Sequence, residues 1–509
     1  DYLGCLVSAG LLAFAFPKSD IFILAWCGLV PLLVILDGKR PLGAFRRSYF
    51  CGLLFFGITL YWFFHVTQWF SWIAALGVML LLAYLALYFG LFGVMCSFFN
   101  RRKPMEKLFL LPSVWCGLEF MRAHLFTGFG WVSLGHSQYQ NLPIIQIADL
   151  TGVFGVSFIV VMVNVCLKEC LTVRVWKKQL LLVIVTGIVV GAVLLYGRMC
   201  ILPTDVAKDR SAGMRVAIVQ ANTEQGQKWK QSAWPGIMER YLDLTGQAAR
   251  HNPQLIIWPE TSFPGYLWDD RELFDELQTF VRRIKIPILL GSVVKEGDQY
   301  YNTAILLSDD GEVQEIYKKI HLVPFGEYLP LRSVFPFLAR FVPIEDFAAG
   351  DEWSVFSSSV KGDKKVSAQF SVLICFEDAV ARLSREFTQR GAQFLVNITN
   401  DAWFGDTRAP FLHLQSSVFR SVENRRSLVR AANTGVSCFI GRWGKIEGWV
   451  QKEKGPLSKK AYVSGYALEE VHFNDQKTFY TKFGDVFTIF CFGCILLGVL
   501  TNRKRERLN

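Results

Sequence analysis

The stretch Phe370-Ser-Val-Leu-Ile-Cys-Phe-Glu-Asp378 drives a β-forming run, Val372, Leu373 and Ile374, straight into Cys375, and carboxylates follow at Glu377 and Asp378. That order suits a nucleophile presented on a strand-to-helix turn. A thiol there sits near the amino end of the next helix, whose unpaired N–H groups and dipole favour thiolate and can hold a developing oxyanion. Taken alone, a cysteine at a strand end is more often a small buried hydrophobe. Two other stretches also close a β run with a polar residue. Leu255-Ile-Ile-Trp-Pro-Glu260 places a carboxylate after a strand, with Pro259 fixing the turn, and Tyr317-Lys-Lys-Ile-His-Leu-Val-Pro-Phe-Gly-Glu327 carries Lys319 and a further carboxylate. Together these types can run acyl transfer: Glu260 takes the thiol proton as Cys375 attacks a carbonyl, and Lys319 sets its ammonium against the oxyanion. Glu327 and Glu377 then orient Lys319 and the acid/base pair. His321 is the base of an alternative Cys/His scheme, although a lone His beside Val and Pro is more often structural.

The elements that must position these groups divide by composition. At 509 residues the chain exceeds one core. Hydrophobic residues at 52%, aromatics at 15% and a mean hydropathy of +0.30 exceed a soluble domain's usual values and indicate a membrane protein. Apolar runs fall at Tyr2 to Phe16, Ile21 to Leu36, Phe50 to Phe64, Trp72 to Phe99, Leu108 to Phe120, Leu150 to Leu167, Leu180 to Tyr196 and Val486 to Leu500. They predict an α-helical bundle of about eight spans, several short for a hydrocarbon core about 30 Å thick. The net charge of +11 resides largely in the connections, which argues for membrane orientation and against a nucleic-acid surface. Lys39 to Arg47, Arg101 to Lys103, Lys168 to Lys178 and Arg503 to Arg507 all fall on one side if the spans alternate, and the positive-inside rule makes that side cytoplasmic. The segment between the last two spans then faces outward. Most of the twelve cysteines lie in apolar runs and pack as small hydrophobes; Cys491 and Cys494 have redox spacing without nearby His or charge. The chain opens at Asp1 without Met, so a preceding start is expected.

The outward segment, Met214 to about Tyr480, alternates β runs with amphipathic helical patterns. The β runs are Val216 to Val219, Leu255 to Trp258, Ile288 to Val294, Thr303 to Leu307, Ser371 to Ile374, Phe394 to Ile398 and Val436 to Ile440. The helical patterns are Ile237 to Arg250, Arg271 to Arg283, Ala379 to Arg390 and Pro410 to Asn433. An α/β domain is expected, divided as a helix bundle over 1–200, the catalytic domain over 214–480, a last span over 486–500 and a basic tail over 501–509. From Leu329 to Val342, apolar residues among prolines and arginines make either a local core cap or a lid toward the membrane.

Trp258-Pro-Glu260, the run from Lys319 to Glu327, Ile374-Cys-Phe-Glu377 and Asn400-Asp-Ala-Trp-Phe-Gly405 resemble the nitrilase superfamily, whose triad is Glu, Lys and Cys. Within it the chain resembles the bacterial apolipoprotein N-acyltransferase family over essentially its whole length. Glu119, Arg122, Thr127-Gly-Phe129, Trp131 and Gly135-His-Ser-Gln138 look like that family's motif at the outer side of its fifth and sixth spans. The resemblance implies a nitrilase-like α-β-β-α sandwich beside the membrane bundle. It also implies a ping-pong reaction in which Cys375 takes an acyl chain from a phospholipid, typically phosphatidylethanolamine, as a thioester. The amine of the diacylglyceryl-cysteine at the start of an apolipoprotein then collects it. Glu260 would be base, Lys319 the oxyanion partner and Cys375 the nucleophile, with supporting roles for Trp229, Asn302, Glu327, Glu377 and Trp403. No cofactor or metal is implied, and a monomer in the inner membrane with its catalytic domain in the periplasm suffices.

Chemistry and family agree because both substrates are anchored by acyl chains, so a soluble catalytic domain must meet them at a bilayer. Aromatic stretches such as Tyr61-Trp-Phe-Phe64 and Trp69-Phe-Ser-Trp72 suit an interfacial belt, whether they guide lipid or only anchor spans. A membrane-tethered amidase hydrolysing a small amide is the alternative enzyme, since the same triad serves hydrolysis. A transporter with an outward binding domain is the alternative of another class, and its pathway would carry more intramembrane charge than Glu119 and Arg122.

Overall fold

The computed structural model describes residues 2–69, 73–202, 213–330, 332, 346–360, 366–450 and 461–508. The Leu329 to Val342 stretch falls outside them except for Leu329, Pro330 and Arg332. The chain folds as two compact units: one of Asp1–Gln68, Trp72–Leu202 and Thr478–Asn509, the other of Trp69–Ser71 and Pro203–Lys477.

The first unit is helical. A helix satisfies its own backbone polar groups, which lets an apolar segment lie in hydrocarbon without cost to N–H and C=O groups. Ile73–Phe98, Val153–Thr172 and Trp176–Ile201 are long and apolar enough to cross a membrane, which marks this unit as membrane-associated. The pair Pro41–Thr59 and Trp62–Trp69, bent by 52°, makes a fourth if it is one span. Among the described residues three or four helices thus meet the length and composition of a span, short of the about eight expected. Tyr2–Phe14, Phe22–Leu36 and Val486–Asn502 are apolar but shorter. The helix Pro104–His124 carries Glu106, Lys107, Glu119 and Arg122.

The last two of those charges are buried and have a visible structural task. Glu119 accepts from the Trp115 indole at 2.8 Å and the Leu134 N–H at 2.6 Å; Arg122 donates to the Trp131 carbonyl at 2.7 Å and the Ser133 hydroxyl at 3.0 Å. They pin the turn-rich segment that carries Trp131 and Gly135 to Gln138. A buried carboxylate and guanidinium with these bonds are tolerable; without them either would be expensive in an apolar bundle.

The second unit carries two six-stranded sheets. Strands β1 (Gly213–Gln220), β2 (Leu255–Ile257), β3 (Ile288–Glu296), β4 (Gln299–Leu307) and β5 (Val313–Lys318) make the first. Strands β6 (Phe356–Val360), β7 (Val366–Ile374), β8 (Phe394–Thr399), β9 (Ser427–Ala432), β10 (Cys438–Ile440) and β11 (Ile446–Trp449) make the second, and β12 (Gly465–His472) returns to the first. The orders are β12-β1-β2-β3-β4-β5 and β11-β10-β9-β8-β7-β6. Each sheet has three parallel central strands, β1-β2-β3 and β7-β8-β9, flanked by antiparallel ones.

The sheets pack face to face, β1 against β9 and β4 against β7, while the Trp234–Ala249 helix covers β1 and Ala381–Gln389 and Ala409–Asn424 cover β7 and β9. This is the α-β-β-α sandwich. Central strands buried on both faces read as continuous apolar runs, as Leu255-Ile-Ile and Phe394-Leu-Val do. Ile256, Trp258 and Leu290 join Met238, Tyr241, Leu277 and Val281 from the helices in the first core layer, and Trp258 stacks on Tyr241 at 4.7 Å. Each such side chain contributes roughly 1.5–3 kcal/mol of burial.

The structure departs from the expected elements at Pro410 to Asn433. The helix ends at Asn424, Arg425 takes a left-handed conformation (φ 51°), and Ser427–Ala432 is strand β9. A helical period and a short apolar strand are hard to separate where one follows the other within three residues.

Candidate active site

Each β run singled out for its terminal polar residue ends at the same region of the sandwich. Glu260 follows β2 on a turn that rests on β3: the Gly291 N–H donates to the Pro259 carbonyl at 3.1 Å and Phe263 N–H to the Gly291 carbonyl at 3.1 Å. Gly291 is required there, because a Cβ would come within 2.5–2.6 Å of Thr261 N, Glu260 Cα and the Pro259 carbonyl oxygen. Lys319 follows β5, its N–H bonded to the Asn302 carbonyl on β4 at 2.8 Å. Cys375 follows β7.

Glu260 and Lys319 are 7% and 1% exposed. Lys319 Nζ lies 2.8 Å from Glu327 and 3.8 Å from Glu260 Oε1. Asn302 Nδ2 donates to Glu260 Oε1 and to Glu327 Oε1, both at 2.8 Å, so one amide bridges the two carboxylates. Glu327 is fixed in turn by the Val323 N–H at 2.8 Å. Burial alone would depress the Lys319 ammonium, but Glu327 and then Glu260 outweigh it and hold the group well above the ordinary lysine value. Lys319 is therefore a fixed positive charge over the neutral range, which is what oxyanion stabilisation requires.

Cys375 sits in a left-handed conformation (φ 53°), a strained placement for a residue with a Cβ, costing of order 1–3 kcal/mol and concentrated in proteins at functional turns. It opens a five-residue 3-10 turn, Cys375–Ala379, before the helix Ala381–Gln389 begins. The expected elbow is present, but the element following the thiol is one short turn, too little to supply a helix dipole. Burial pushes the thiol well above its usual value and the Glu260 charge adds to that; Lys319 and the Thr399 hydroxyl oppose it. A thiol so placed stays protonated until a base takes its proton, which fits general-base activation and not a preformed thiolate.

Glu377 differs from its expected place. It makes no contact with Lys319 closer than an electrostatic one, and instead knits the backbone: Oε1 accepts from Tyr317 Oη at 2.9 Å, Ile320 N–H at 2.8 Å and His321 N–H at 3.0 Å, and Oε2 from Ile374 N–H at 2.7 Å. It ties the strand end carrying Lys319 to the strand end carrying Cys375. Burial pushes it up to about 7 against these bonds and the Lys319 charge. His321 stacks near the Phe376 ring at 6.0 Å. Trp229 is 52% exposed and Trp403 partly so; among the described residues neither hydrogen-bonds Glu260, Lys319 or Cys375.

Behind the nucleophile lies a fully buried charge network that the sequence did not announce. His413 Nδ1 lies 3.0 Å from Asp401 Oδ1 and its Nε2 lies 2.9 Å from Asp378 Oδ1 and 3.1 Å from the Cys375 carbonyl. Arg430 reaches Asp378 at 3.2 Å and Asp401 at 3.1 Å, and Asn397 Nδ2 donates to the Cys375 carbonyl at 3.1 Å. Burial and Arg430 depress the imidazole, yet Asp378 and Asp401 outweigh them and raise it to about 9. The strained carbonyl of Cys375 is thus clamped from two sides. One signal was available: Arg430 and His413 are charges inside otherwise apolar runs, Leu428-Val-Arg-Ala-Ala and Phe411-Leu-His-Leu.

Two facing mixed sheets with a cysteine elbow and a buried Glu/Lys pair define the carbon–nitrogen hydrolase class, and the Carbon-nitrogen hydrolase family model matches residues 215–455. The Apolipoprotein N-acyltransferase N-terminal domain model matches residues 8–166. Apolipoprotein N-acyltransferase of Geobacter metallireducens is 37% identical over 99% of this chain and 96% of its own length, and that of Chlorobaculum tepidum is 31% identical over 98% and 96%. The chain belongs to the apolipoprotein N-acyltransferase family. Among solved structures, an amidase from Nesterenkonia sp. is 21% identical, with a TM-score of 0.39, over 54% of this chain and 94% of that one.

Proposed function

We propose that the protein transfers an acyl chain from a membrane phospholipid, through a thioester on Cys375, to the N-terminal amine of the diacylglyceryl-cysteine of apolipoproteins. What carries the reading is the convergence of Glu260, Lys319, Glu327 and Asn302 beside the Cys375 elbow, in a chain alike to N-acyltransferases over its full length.

In the first half-reaction Glu260 takes the thiol proton as Cys375 Sγ bonds to the ester carbonyl carbon. The carbonyl oxygen becomes an oxyanion beside the Lys319 ammonium. When the ester C–O bond breaks, the leaving alkoxide takes the proton from Glu260 and departs as a lysophospholipid. In the second, the acceptor amine attacks the thioester carbonyl, Glu260 accepts the proton of the resulting ammonium, and as the C–S bond breaks Glu260 returns that proton to the leaving Cys375 thiolate, restoring thiol and carboxylate. Glu327 and Asn302 hold Lys319 and Glu260 at their separation, and Glu377 fixes the two backbones that carry Lys319 and Cys375. Trp229, exposed beside the site, and Trp403 fit substrate contact. Phosphatidylethanolamine is the expected donor, and no oligomer is needed.

The proposed topology has about eight spans, with a bundle over 1–200, a catalytic domain over 214–480 facing the periplasm, a last span over 486–500 and a cytoplasmic tail, in the inner membrane. The apolar helices of the first unit support it, as does the need to reach two lipid-anchored substrates. Purified protein incubated with labelled phospholipid is expected to gain one acyl group on Cys375, read by intact mass, and to lose it on adding a diacylglyceryl peptide. Full transfer by Cys375→Ala, with no thioester in the wild type, overturns the reading.

A further inference from the structure

The carboxylates around the thiol outnumber the one cation assigned to it. Glu260 closes β2, Glu327 comes from the loop after β5 and Glu377 from the turn after Cys375, and Lys319 is the cation assigned to them; Asp378 and Asp401 are already paired with Arg430 and His413. A second buried ammonium lies beside the same group. Lys228 is 7% exposed, and its Nζ donates to the backbone carbonyl of Glu260 at 3.1 Å, its only hydrogen-bond partner among the described residues.

We propose that Lys228 is a positioning residue of the acyl-transfer site: its ammonium, seated on the Glu260 carbonyl, holds the turn that carries Glu260 and sets a second positive charge beside that base. The proposal rests on the reading of Glu260, Lys319 and Cys375 given above.

The chain fixes Lys228 from both sides. It ends a single helical turn, Gln225–Lys228, whose Gln225 Oε1 accepts from Asn400 Nδ2 at 3.0 Å in the second sheet's Asn-Asp-Ala-Trp turn. The Lys228 carbonyl accepts from the Trp234 indole at 3.2 Å at the start of the next helix. With its backbone so held, the stem carries the ammonium to the Glu260 carbonyl. A lysine kept only to fill space would be the wrong residue, since burying an ammonium costs more than burying an apolar chain of similar volume. Burial does push this ammonium down, to about 8, and the Glu260 and Cys375 charges oppose that fall.

The test uses full-length protein in detergent and reads iodoacetamide alkylation of the Cys375 peptide across pH, with acyl transfer measured alongside. Lys228→Gln keeps a donor for the Glu260 carbonyl and removes the charge; Lys228→Arg keeps the charge. Losing a nearby cation disfavours thiolate, so Lys228→Gln is expected to move the alkylation limb up by about one pH unit, about tenfold slower reaction below the limb. Transfer kcat falls with it while the acceptor KM stays, and Lys228→Arg restores the limb to within about 0.3 pH unit. A wild-type limb in Lys228→Gln, with transfer falling only in step with melting temperature, overturns the proposal. If Lys228→Gln does not fold, the limb of Lys228→Arg against the wild type decides it, a shift upward by a full unit being the overturning result. Retained transfer in Cys375→Ala overturns both readings, whereas a dead Cys375→Ala with an unmoved limb in Lys228→Gln overturns this one alone.

Discussion

Asn302 shows how a neutral side chain can set the electrostatics of a charged site. Its amide donates to both Glu260 and Glu327, two like charges that would otherwise repel across the Lys319 ammonium. Asn302→Ala is expected to cut thioester formation about 10- to 100-fold, and Asn302→Asp to cut it further by adding a third carboxylate. Stopped-time mass spectrometry of the acyl-enzyme separates them; equal rates in both variants would remove the bridging role. His413 makes the second prediction. Its charged form is favoured in the fold, so the stability it contributes is full below its ordinary value near 6.5 and is lost as the pH rises through about 9. The loss amounts to roughly 3 kcal/mol. Melting temperature followed from pH 6 to 10 should fall in the wild type and be flatter in His413→Gln. At this scale the sequence was legible where chemistry sits at a strand end, as for Glu260, Lys319 and Cys375. Asn302 lay within Tyr-Asn-Thr without a derivable role, and Lys228 ended the polar run Thr223 to Lys228, where nothing distinguishes a buried lysine from a solvated one. Burial is a property of the fold, and local residue type does not encode it.

The elements position these groups through strand ends and the turns behind them. β2, β5 and β7 each stop where a turn must bring one side chain inward, and the turn after β2 has no slack because Gly291 on β3 lies directly beneath it. Gly291→Ala forces three backbone atoms of the Glu260 turn apart, since none of the three is a flexible side-chain tip. It is expected to cost about 1–3 kcal/mol of stability, seen in the melting temperature, and to slow acylation of Cys375 by more than that loss explains. Acylation at the wild-type rate would mean that the turn can move without moving the carboxylate. Period-2 alternation and apolar runs located seven of the strands, among them all three parallel strands of the first sheet and two of those in the second. They missed β9 because its four apolar residues, Leu428, Val429, Ala431 and Ala432, continue the pattern of the preceding helix, and the left-handed Arg425 that separates the two is invisible to periodicity. The antiparallel edges β5, β6, β11 and β12 mix Ser, Glu or Gln among their apolar residues, which weakens any apolar signal.

At the scale of the whole chain, the proposed orientation rests on the basic connections, and the helical unit brings several of them together. Ser97 donates to the Lys39 carbonyl at 2.7 Å, and Lys168 pairs with Asp37 at 3.1 Å. Arg102 reaches the Gly498 carbonyl at 2.6 Å and Thr501 Oγ1 at 2.7 Å, and Asn502 donates to the Phe98 carbonyl at 3.1 Å. The connection after the second apolar run, those after the fourth and sixth, and the end of the last therefore meet at one end of this unit. Spans that simply alternate require that meeting, and the proposed topology, read by the positive-inside rule, puts it on the cytoplasmic side. The proposed outward catalytic domain then follows from an odd number of crossings before it. A fluorescent protein that matures only in the cytoplasm, fused after Asn509, should glow. A phosphatase active only outside the cytoplasm should be inactive at that position and active when fused after Lys477. The reverse pattern would put the Cys375 site on the cytoplasmic face, where the basic clusters would have to be held outside against the membrane's own charge bias.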